Sequence, residues 1–121
     1  MTLTFEVPLP PKELSPNARP HWSEKAEATR AYGAAVFYAL LDARNRTGGW
    51  RDMPHVHVTL TFVFPVKRRH DEDNLRSSWK VGYDAVVRAG VVDDDDMEHM
   101  SRSVDARTEK GMSKVVVELE E

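Results

Sequence analysis

Two acidic clusters stand out along the chain, Asp71-Glu72-Asp73-Asn74 and, further on, Asp93-Asp94-Asp95-Asp96. Two carboxylates two residues apart at a strand-to-helix junction can converge on one cation, and a third from beyond the helix can complete an all-oxygen site. Such ligands suit Mg2+ or Mn2+, hard ions that keep several waters and engage substrate phosphates. An ion held this way activates water and neutralises charge on a phosphate, which is what metal-assisted phosphodiester hydrolysis requires. The ordinary alternative is that Asp73 caps a helix, worth about 1 kcal/mol, while residues 93–96 form a solvated turn. Charge favours the metal: six aspartates and Glu72 bracket one short helix and repel one another unless something positive lies among them. Lys80 follows Asp73 by seven residues. At ~100° per residue it returns to nearly the same helical face two turns along, where an ammonium can meet a scissile phosphate. Its ordinary role would be an i,i+4 pair with Asp84, worth a few tenths of a kcal/mol.

These residues resemble the RusA family of Holliday-junction resolvases, dimeric Mg2+-dependent endonucleases of phages and prophages. The matching pieces are Asp71-x-Asp73-Asn74-Leu75, Lys80, Asp84-Ala85, Ala89-Gly90 and Asp94-Asp95, with Pro10-Pro11 and Ser15-Pro16-Asn17 similar to the family's N-terminal loop. The specific part runs from Arg69 to Asp95. The resemblance implies that Asp71, Asp73 and Asp95, with Asp94 beside it, bind the metal and that Lys80 is the catalytic lysine. The family's best-known pattern has its lysine where this chain has Ser77; Lys80 matches a divergent branch. The resemblance further implies a homodimer that nicks four-way junctions symmetrically, with Mg2+ as cofactor, Mn2+ as substitute and the cytoplasm of a bacterial host as location. The residues expected to hold DNA are Asn17, Arg19, His21, Lys67, Arg68, Arg69, Asn74 and Arg76, of which Lys67-Arg68-Arg69-His70 leads directly into Asp71. As an isolated cluster it would be a solvated turn. Two other readings are a non-catalytic divalent-cation or DNA-binding module and a phage interaction protein whose aspartates keep it in solution.

A zinc site would need His55 and His57, joined by His70, Asp71 and His99. A His-x-His on a strand is more often packed or exposed, and nothing in the sequence sets the spacing of the rest. Trp22, Trp79 and Tyr83 fall at stripe positions and read as core rather than as platforms for bases.

The elements that position these residues follow from periodicity. Residues 2–7 alternate apolar and polar as a strand does, and Pro8, Pro10 and Pro11 stop it. Ser23 is the expected N-cap of a helix over 23–46, with Trp22, Ala26, Tyr32, Val36, Phe37, Leu40 and Leu41 at helical spacing and Gly48-Gly49 at its end. Residues 55–64 are the clearest strand: Val56, Val58, Leu60, Phe62 and Phe64 share one face, His55, His57, Thr59 and Thr61 the other. A second helix is expected over 73–89, striped by Leu75, Trp79, Tyr83 and Val86 and closed by Gly90. Weaker strands at 98–108 and 112–119 meet around Glu109-Lys110-Gly111. The whole predicts a single α/β domain over 1–121, a mixed sheet with two main helices.

Composition narrows the classes that remain. A chain of 121 residues is enough for one domain with its own core. With no cysteine, disulfide scaffolds, thiolate zinc sites and cysteine nucleophiles are excluded. No apolar run approaches the ~20 residues of a membrane span, and the polar start (Thr2, Thr4, Glu6) is unlike a signal peptide; a soluble protein without a membrane partner is expected. Net charge is −3, but residues 1–70 carry 10 basic and 6 acidic side chains and residues 71–121 carry 7 and 14. A globally basic nucleic-acid binder is not what this balance describes, although a local basic surface beside a carboxylate-rich centre is compatible with it.

Overall fold

A computed structural model describes residues 2–48, 53–67, 69 and 71–121. Four strands, β1 (Thr2–Val7), β2 (Val56–Phe64), β3 (Met100–Thr108) and β4 (Lys114–Glu120), form one mixed sheet in the order β1-β4-β2-β3. β4 is antiparallel to both neighbours, while β2 and β3 are parallel. Register aligns the apolar positions in rows: Phe5 faces Val117, Val117 faces Leu60 and Leu60 faces Val104. Because side chains alternate along a strand, the next row (Thr4, Glu118, Thr59, Ser103) points the other way, and all four are at least partly exposed. The α/β expectation holds, as does the alternation read into 55–64 as far as Phe62; beyond it Val63, on the other face, is fully buried and Phe64 half-buried.

Three helices supply the rest of the core: α1 (Trp22–Arg46), α2 (Glu72–Ser78) and α3 (Lys80–Arg88). Tyr32, Val36 and Leu40 of α1, together with Tyr83 and Val86 of α3, pack with the inward residues of all four strands. The β1-to-α1 connection passes through a short 3-10 turn, Lys12–Leu14, and the Tyr32 hydroxyl donates to the Pro8 carbonyl at 2.7 Å, tying the two elements together.

Several local expectations change. α1 begins one residue early because His21, not Ser23, is its cap: His21 Nδ1 accepts from the Ser23 amide at 3.2 Å. Trp22 is not core. It lies 76% exposed at the first turn, before α1 reaches the sheet. The single helix expected over 73–89 is two. Trp79 leaves helical geometry (φ −101°, ψ 13°) between α2 and α3. Its indole is completely buried and donates Nε1–H to the Tyr32 hydroxyl at 3.0 Å. A Cβ on Gly82 would stand 2.4 Å from the indole ring, so a glycine is needed where α3 starts beneath it. The cap of α2 is Asp71 rather than Asp73. Gly90 ends α3 as expected, in the left-handed region (φ 80°).

Candidate functional site

α2 lies along the β3 edge of the sheet. Glu72 and Leu75 border one shallow hollow with Val104, Asp105 and Ala106; one turn on, Arg76 borders another of about 400 Å3 with Met97, Met100, Ser101 and Arg102. At the start of the helix, Asp71 Oδ1 accepts from the amides of Asp73 (2.9 Å) and Asn74 (3.4 Å), the usual N-cap arrangement. Its other oxygen makes no hydrogen bond to the described residues. Glu72 is paired with Arg76 at 2.8 Å, and Asp73 and Asn74 are exposed.

The acidic loop reaches the same edge from its other end. Arg102 of β3 donates to the Asp95 carbonyl at 2.6 Å and has the Asp95 carboxylate 4.0 Å away. The Arg102 guanidinium also lies 4.7 Å above the ring of Tyr83. Burial pushes the Tyr83 hydroxyl up to about 12, with Arg102 and then Arg76 acting in the opposite direction. That hydroxyl and Arg76 Nε are both buried without a hydrogen-bond partner among the described residues. Asp94 turns inward on its own loop and accepts from the Asp95 amide at 2.7 Å. Asp96 Oδ1 accepts from the amides of Glu98 and His99 and meets His99 Nδ1 at 2.7 Å.

Among the described residues, one group of three His, Asp or Glu side chains has ligand atoms all within 4.8 Å of one another: Asp96, Glu98 and His99. The turn that Asp96 caps accounts for that proximity. Asp71, Asp73, Asp94 and Asp95 do not form such a group. Their all-oxygen donor chemistry suits a hard divalent cation, but their arrangement is an open edge rather than a closed cage.

Lys80 opens α3 and lies 3.8 Å from Asp84, both side chains well exposed. Because the chain leaves helical geometry at Trp79, counting turns from Asp73 does not carry across to Lys80. The expected DNA-holding residues divide into separate groups. Asn17 and Arg19 line a hollow of about 510 Å3 with Lys12, Glu13 and Glu24; His21 caps α1 with its ring 5.5 Å from that of Trp22. Lys67 and Arg69 are exposed beyond β2, while Arg68 and His70 lie outside the described residues.

His55 and His57 are accounted for by another arrangement. The Glu98 carbonyl can only accept, so His55 Nδ1 donates to it at 3.0 Å and Nε2 accepts from Ser101. Ser101 Oγ then accepts from His57 Nδ1 at 2.6 Å, which leaves His57 Nε2 to accept from Ser103 at 2.8 Å. All four ring nitrogens of the two histidines are engaged in these bonds. Neither ring keeps a free lone pair for zinc.

Arg102 was not among the site residues expected from sequence, although a signal existed. It stands between Met100 and Val104 on the inward register of β3, where an apolar residue is the rule. No family model matches the chain. Over 96 residues it is 31% identical to an uncharacterized protein of Xylella fastidiosa (strain Temecula1 / ATCC 700964), an alignment covering 75% of this chain. The chain spans 60% of that relative's length.

Proposed function

We propose that the protein is a Mg2+-dependent, structure-selective DNA endonuclease of the RusA type, acting in the cytoplasm as a homodimer on four-way junctions in recombination and repair. One observation carries the reading. α2, capped by Asp71 and with Asp73 in its first turn, borders β3, and Arg102 of β3 holds the loop that bears Asp95, an arrangement compatible with the motif's carboxylates serving one ion. Asp71, Asp73 and Asp95, with Asp94 beside it, would hold the ion, which supplies Lewis acidity toward water and phosphate. The chain's own contribution is positional and electrostatic. Asp71 fixes the first turn of α2 through one oxygen, Arg102 restrains the Asp95 segment, and Lys80 offers an exposed ammonium to a phosphate. Arg76, Lys67, Arg68 and Arg69 would contact the backbone on either side.

A non-catalytic cation- or DNA-binding module is the second reading, favoured by the pairing of Lys80 with Asp84. Incubating a synthetic four-way junction with the protein and Mg2+ separates the two. Paired nicks that leave 5′-phosphates, and that disappear in Asp73→Asn, are the expected result. Binding without cleavage would favour the module.

A further inference from the structure

Charge is segregated around α1. At ~100° per residue, Glu24, Glu27 and Asp42 fall on the side away from α3, whereas Lys25 and Arg30 flank the stripe that faces α3. That stripe and α3 enclose a groove of about 590 Å3. Gly33 allows the close approach at its floor, since a Cβ there would be 3.3 Å from Val81. Arg88 closes the groove from α3, its guanidinium 5.5 Å from the centre of the Phe37 ring.

Three properties of this groove favour an occupant. Lys25, Arg30 and Arg88 are exposed and, among the described residues, none has a carboxylate partner. The groove's own carboxylate, Asp84, already faces Lys80. The groove is therefore locally basic on a molecule whose net charge is −3. At one end stands Trp22, 76% exposed, a large flat ring left in water where α1 begins. An acidic peptide would answer the cations, but only an aromatic residue at one place in it would meet the indole. A nucleic-acid strand offers both, phosphates at regular intervals and a π-face on every base.

We infer that the α1–α3 groove is a nucleic-acid track, with phosphates along Lys25, Arg30 and Arg88 and an unpaired base stacked on Trp22. The inference rests on the reading of the protein as a DNA-acting enzyme, and it adds residues outside the acidic edge. The track would hold a single strand where pairing is opened beside the branch.

The test is fluorescence anisotropy of a labelled single-stranded oligonucleotide and a labelled four-way junction, without Mg2+ so that nothing is cut, across a salt series. Trp22→Ala should weaken single-strand binding roughly ten-fold and leave the salt slope unchanged. Lys25→Ala with Arg30→Ala should reduce the log–log salt slope by about 1.4, at ~0.7 per phosphate contact on a single strand. These side chains are exposed, so melting temperature should not move, and circular dichroism checks the fold. Variants that bind as the wild-type protein does, with junction cleavage intact, would overturn the track and spare the nuclease. Loss of binding in the variants, with no cleavage by wild-type protein at any Mg2+ concentration, would support the track and overturn the nuclease. Failure of wild-type protein to bind either probe would overturn the track, and cleavage with Mg2+ would still decide the nuclease.

Discussion

Asp96 and His99 influence each other's protonation. The hydrogen bond that His99 Nδ1 donates to Asp96, aided by the carboxylate's charge, raises the affinity of His99 for a proton above the ordinary 6.5, and the same bond is the main cause of Asp96 titrating below 3.8. Stability from His99 is complete below 6.5 and disappears as pH rises through its raised value. Stability from Asp96 is complete above 3.8 and disappears as pH falls through its lowered value. The 96–99 turn should thus be firmest between about pH 4 and 6.5. An NMR titration should place the His99 midpoint above 6.5 and return it toward 6.5 in Asp96→Asn; an unmoved midpoint in that variant would dissolve the pair. Lys80 gives a second prediction at this scale. If it acts on charge that develops in the transition state, Lys80→Ala should lower single-turnover cleavage roughly 100- to 1000-fold with little change in junction affinity. Normal turnover would reduce Lys80 to a surface partner of Asp84. Arg102 was legible in the sequence as a charged residue on an inward register. The hydrogen-bonded line through His55, Ser101, His57 and Ser103 was not, because it depends on a parallel register between segments more than forty residues apart.

Among the elements, β2 was legible almost residue by residue, since its alternation runs from Val56 to Phe62 and Pro65 ends it, while the burial of Val63 on the other face was not. The break at Trp79 was not, because the stripe Leu75, Trp79, Tyr83 and Val86 suits a continuous helix equally well. The tertiary demand that the indole enter the core and meet Tyr32 overrides local periodicity there. Gly82 carries the consequence. Gly82→Ala would drive a methyl group into the fully buried ring, so stability should fall by ~1–3 kcal/mol, measured as a lower denaturant midpoint with unchanged m-value. Wild-type stability in that variant would show that the α2–α3 joint can relax at no cost. Trp22 illustrates the opposite case: its spacing matched the core stripe, but α1 starts one turn before it has anything to pack on.

For the molecule as a whole, the proposed metal predicts linkage. If Asp71, Asp73 and Asp95 hold one ion, millimolar Mg2+ should raise the melting temperature of the wild-type protein and do so less in Asp71→Asn with Asp73→Asn. An equal response in both would place any bound ion elsewhere. No helix among the described residues is long and apolar enough to cross a membrane. The mixed α/β class was readable from the order of elements, whereas the strand order was not, since no local signal states which distant segments pair. β4 stands second in the sheet, between β1 and β2, yet it is the last of the four in chain order. While the polypeptide is being made, β1 therefore emerges first and waits through β2 and β3 with no neighbour. Its bare edge is covered only when the seven residues of β4 arrive. Assembly of this sheet is timed by its last strand, which makes the interval before Lys114–Glu120 leave the ribosome the period when a chaperone has most to shield.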